Sequence, residues 1–139
     1  MAITQAMCTS FKSELLNKEH DLDTDTFKIA LYTSSATLGA STTAYTVSNE
    51  VSGTGYTTGG YTLTGGTIAT SGTTAYVDFA DPSWTSATFT ARGALIYNTS
   101  AANKAVAVID FGGDFTVTAG TFTITFPTAD ASNALIRLE

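Results

Sequence analysis

Residues 26–33, Thr26-Phe27-Lys28-Ile29-Ala30-Leu31-Tyr32-Thr33, decide the fold class. Phe27, Ile29 and Leu31 alternate with Lys28, Ala30 and Tyr32, the two-residue period of a half-buried strand. Further along, Phe122, Ile124 and Phe126 alternate with Thr121, Thr123 and Thr125, so that this strand turns an apolar face inward and hydroxyls outward. From Lys104 to Phe111 both sets are largely apolar: Ala105, Ala107, Ile109 and Phe111 oppose Val106 and Val108. That pattern predicts a central strand, or one covered by a helix.

Working outward, glycines and small polar turns punctuate short strands predicted at 61–64, 67–70, 74–79, 86–91, 93–98, 104–111, 115–118, 121–126 and 134–138. Gly65-Gly66 and Gly112-Gly113 read as hairpin turns, and Asp81-Pro82 as a break before Trp84. One helix is predicted over 5–16, where Met7, Phe11 and Leu15 recur at four-residue steps with Cys8 and Leu16 beside them and Thr4 as N-cap. Residues 34–60 form a long Ser/Thr/Gly-rich loop, yet Leu38, Tyr45, Val47, Val51 and Tyr56 are spaced through it as apolar anchors, so an ordered excursion is expected. The expectation is a mainly β, single-domain chain over 1–139, an antiparallel β-sandwich or barrel-like fold with one N-terminal amphipathic α-helix. At 139 residues it has length enough for a core without metal or disulfide staples.

The same composition argues against catalysis. There is one histidine, His20, one cysteine, Cys8, and six basic residues, while the polar positions are mostly hydroxyls at strand spacing. A net charge of −6 and a pI near 4.4 disfavour direct nucleic-acid binding, since few bases are present to displace counterions. Cys8 reads as a small buried hydrophobe and His20 as an exposed turn residue.

Asp21, Asp23 and Asp25 match the first three positions of a calcium loop, but Thr26 stands where the sixth-position glycine belongs and Tyr32 where the twelfth-position acid belongs, so a solvated acidic turn is expected. Nothing selects a carboxylate pair among Asp78, Asp81, Asp110 and Asp114. Gly53 to Gly60 lacks the lysine and spacing of a phosphate loop, and the sequon Asn98-Thr99-Ser100 reads as a turn. The start of the chain lacks the basic region and apolar core of a secretory leader, and no stretch approaches a membrane span. The expectation is therefore no catalytic, cofactor-binding or metal-ligating residues, no small-molecule substrate, no membrane, and synthesis as a soluble cytoplasmic product.

What remains for function is contact with another macromolecule. The candidate interface residues are Phe11 and Leu15 on the helix, Tyr45 and Tyr56 in the loop 34–60, and Trp84 beside its proline turn, the last two as the aromatics expected to be exposed.

Phe11 to Leu16, Thr26 to Thr33, Ala44-Tyr45, Asn49 to Tyr56 and Gly59-Gly60, followed by Ala91 to Asn98 and Lys104 to Phe111, resemble a family of small structural virion proteins of tailed bacteriophages. The resemblance covers most of the chain. It implies a non-enzymatic capsid decoration, or cement, protein on the outer surface of the virion, made in the host cytoplasm. Its partners would be the major capsid protein and copies of itself. A tail, fibre or connector component is the alternative within a virion, and a carbohydrate-binding β-module using Trp84 is the alternative outside it.

Overall fold

The structure, a computed structural model, describes residues 2–127 and 135–138. Along the chain run β1 (Ala6–Met7), α1 (Thr9–Leu16), β2 (Phe27–Tyr32), β3 (Tyr61–Thr62), β4 (Thr67–Ser71), β5 (Thr74–Asp78), β6 (Ser83–Asn98), β7 (Lys104–Thr123) and β8 (Ile136–Leu138). They form two antiparallel sheets, one in the order β1-β7-β6-β2-β3 and one in the order β4-β5-β8. The protein is thus mainly β with a single N-terminal α-helix, and one apolar cluster runs through residues of both sheets. Among the described residues no helix is long and apolar enough to cross a membrane.

The strand that announces the fold is more deeply buried than its alternation predicts. Ile29 and Leu31 on one face and Ala30 and Tyr32 on the other are all fully buried. β2 pairs with β6 along its whole length, from Phe27 opposite Asn98 to Tyr32 opposite Gly93, but with β3 only at Lys28 and Ile29. Beyond that short partner the loop 34–60 takes over the edge. Val51 N donates to Leu31 O at 2.9 Å, Thr33 N donates to Asn49 O at 3.0 Å, and Tyr32 bridges to Glu50. Polar backbone left open on β2 would invite pairing with another chain, and the loop closes it. Gly60 permits this approach, because at φ +86° a Cβ there would lie 2.0 Å from Ile29 O.

Several local expectations are corrected. The helix starts at Thr9, not at residue 5, with extended Cys8 as its N-cap. Thr4 N instead donates to Leu38 O, and Ala6 and Met7 pair with Val108 and Ala107 at the edge of β7. The apolar step from Met7 to Phe11 therefore joins a strand to a helix. The helix ends where Lys18, at φ 65°, donates its N–H to Leu15 O while Glu19 N reaches Glu14 O, the paired bonds of a Schellman motif.

Gly65-Gly66 is not a hairpin turn, since β3 before it belongs to the larger sheet and β4 after it to the smaller. The tight turn of the smaller sheet is Gly72-Thr73, between paired Ser71 and Thr74. Gly112-Gly113 is not a turn either. The predicted strands 104–111 and 115–118, with the start of 121–126, merge into β7, and Phe111 to Asp114 form a bulge opposite Arg92 alone. Likewise 86–91 and 93–98 merge into β6. The prediction for 134–138 falls partly outside the described residues.

The bulges bend this long β6–β7 ribbon sharply. An extended strand would separate Phe111 from Phe122 by about 36 Å, yet their ring centroids are 5.9 Å apart. The ribbon doubles over and encloses Trp84 and Phe89, which pack on Phe122 at 5.9 and 5.3 Å.

Candidate interaction surfaces

Within the loop 34–60 one carboxylate gathers three donors. Glu50 Oε2 accepts from the Tyr45 hydroxyl at 2.6 Å, and Oε1 accepts from the Tyr56 hydroxyl at 2.5 Å and from Gly59 N at 2.8 Å. Tyr56 Oη in turn accepts from Leu31 N at 2.9 Å, which ties the loop to β2. Tyr97 donates to Gly59 O and Tyr32 to Thr46 O, each at 2.6 Å, and the Tyr45 and Tyr97 rings stack at 4.6 Å. Burial, with the Glu50 charge added, pushes the Tyr97 phenol up to about 12. Burial first, then the Glu50 charge at Tyr32 and the hydrogen bond to Glu50 at Tyr45 and Tyr56, hold these three phenols still higher. These phenols keep their protons and act as fixed donors, so the cluster is a structural latch.

A second network corrects the reading of His20. Its side chain is buried, with the residue only 6% exposed, and its ring lies 4.9 Å from that of Phe11. Asn98 Nδ2 donates to His20 Nδ1 at 3.0 Å, so Nε2 carries the ring proton and donates to Glu14 Oε1 at 3.0 Å. Asn98 also donates to Asp25 Oδ2 and accepts from Ser100 N, and its complete burial leaves no room for a glycan on it in the folded protein. Cys8 is buried, as expected; its burial, with the Glu14 charge added, raises the thiol to about 11, away from a reactive thiolate.

Asp21, Asp25, Asp81 and Asp110 are each engaged separately, whereas Asp78 Oδ1 is buried without a hydrogen-bond partner among the described residues. Asp21 Oδ1 accepts from Asp23 N and Thr24 N, and Asp25 Oδ2 accepts from Asp21 N, which folds the acidic turn on itself. Asp81 accepts from Phe126 N, and Asp110 accepts from Gly112 N and faces Arg92. Among the described residues no group of three His, Cys, Asp or Glu side chains is placed to hold a metal ion.

The five candidate contact residues separate into different environments. Tyr45 and Tyr56 meet on Glu50 and are half-buried, with their hydroxyls engaged inside the protein. Trp84 is 5% exposed, boxed by Tyr56, Tyr61, Phe89 and Phe122, and presents no face to a partner or a sugar. Phe11 is fully buried against His20, so it too is corrected from a contact residue to a core residue. Leu15 is half-buried at the wall of a cleft between α1 and the three-stranded sheet.

Among the described residues, the large apolar side chains that do stand in solvent are Leu16, Val47, Ile68, Phe115 and Leu138. Phe115 borders a groove of about 290 Å³ where the ribbon doubles over, lined also by Ile109, Phe111, Phe122 and Ile124. Alternation places each of these on a strand, but only the bend brings them to one groove. Comparison with models of known protein families, with curated proteins and with solved structures finds no match.

Proposed function

We propose that this chain is a non-enzymatic structural component of a tailed-phage virion, a capsid decoration protein that binds the outer surface of assembled major capsid subunits. One observation carries the reading: side chains able to do chemistry, Glu50, Glu14, His20, Asp25 and Asp110, are engaged in holding loops and turns, while apolar side chains face outward. That division of labour suits a surface that binds by shape. The contact elements are the latched loop 34–60, with Val47 outward, and the aromatic groove beside Phe115. Binding only the assembled lattice would stabilise it by linkage, with each copy adding a small increment.

The test is to mix the purified protein with empty, expanded phage heads and measure bound copies per particle and the temperature of shell rupture. Saturation at a copy number set by capsid symmetry, with delayed rupture, supports the reading. No binding to heads overturns it.

A further inference from the structure

We propose that the cleft between α1 and the three-stranded sheet is the docking site for Leu16 of a second copy of this chain. The cleft encloses about 190 Å³, and Leu15, Leu22, Ile68, Val77, Ile136 and Leu138 line it. Val77 and Ile136 are buried and form its floor, whereas Ile68 and Leu138, 52% and 51% exposed, stand at its rim. Next along α1 from the wall residue Leu15 is Leu16, 89% exposed and the most exposed of the large apolar side chains described. An apolar knob thus sits beside an apolar hole on one surface. That adjacency is what a two-fold contact needs, because each copy then offers both halves.

The charges are paired in the same sense. Lys12, one helical turn before Leu16, and Lys18, two residues after it, flank the knob. Asp21 and Asp23 flank Leu22 at the cleft wall, and the two hydrogen bonds from Thr24, with another from Asp23 N, hold the Asp21 carboxyl below its usual range, so it stays charged. All four are exposed, and none makes an ion pair among the described residues. A second copy bound by Leu16 brings its lysines to these aspartates, which locally offsets the repulsion between two chains of net charge −6.

Sedimentation equilibrium of the full chain, from about 10 μM to about 1 mM, tests this independently of head binding. The expected result is a rise from the 14.4 kDa monomer toward twice that mass. Leu16→Asp, at a site too exposed to affect folding, removes two buried leucines per dimer and should raise the dissociation constant about 100-fold or more. Ala75→Trp fills the cleft and should do the same. Mixing the two variants restores partial association, since one retains the hole and the other the knob. Lys18→Glu and Asp23→Lys should each weaken the dimer, and their combination should recover it. A chain that stays monomeric throughout, as it would if another protein or its own terminus filled the cleft, overturns the proposal. So does a dimer unaffected by Leu16→Asp, or a mixture that fails to associate.

Discussion

Glu50 satisfies two phenol hydroxyls and a backbone N–H with two oxygens, and the position of the loop over β2 depends on it. Glu50→Ala would strand all three donors in partly buried surroundings, and the expected loss is about 2–3 kcal/mol, read as a lower urea midpoint. Glu50→Gln keeps one carbonyl oxygen as acceptor and turns the other position into a donor, so its loss should be smaller but measurable by the same midpoint. The phenols add a pH dependence with a definite sign. Unfolded tyrosines ionise near pH 10, whereas Tyr97 in the folded protein does so at about 12 and Tyr32, Tyr45 and Tyr56 higher still. The folded state holds protons that the unfolded state releases, so the stability they contribute is complete below pH 10 and is lost as pH rises through the folded values. Urea midpoints measured across this range should fall steadily, and Tyr97→Phe should flatten the fall. The latch itself was only half legible. Tyr45 and Tyr56 read as anchors because they are aromatic islands in a polar loop, but Glu50 gave no periodic signal, and its role appears only when the loop turns back on itself. His20 was misread for a related reason: its partner Asn98 arrives from a distant strand, and no local pattern announces such a meeting.

At the scale of elements, the alternating segments carried over well, because a strand's period reports its two faces whatever its neighbours are. β4 and β5 fall within a residue of expectation. Errors came where tertiary partners overrode a local preference. The first residues of the expected helix went to the edge of β7, and two glycine pairs took roles other than hairpin turns. The distinction is testable at two other glycines. Gly60→Ala puts a methyl group into the Ile29 carbonyl and should cost more than about 3 kcal/mol by thermal melting. Gly72→Ala, in the β4–β5 turn at φ +61° with open space around it, should cost only the backbone strain, about 1–2 kcal/mol.

For the whole molecule, the outward-facing apolar side chains separate binding from stability. If the proposed decoration role holds, Phe115→Asp should reduce the number of copies bound to phage heads at least tenfold while shifting the melting temperature little, because Phe115 is 52% exposed and its loss opens no cavity in the core. Trp84→Ala should do the reverse in stability, removing a ring packed among four aromatics at a cost of about 3–5 kcal/mol. The doubled ribbon also has a kinetic consequence. Its two strands are joined by the short turn after Asn98 and can meet early, but β1 closes the sheet by pairing Ala6 with Val108, residues from distant parts of the chain. Much of the chain must be gathered before that bond rewards the gathering, so stopped-flow refolding should take on the order of milliseconds to seconds. The ribbon would then serve as the early scaffold on which the amino-terminal edge is the late arrival.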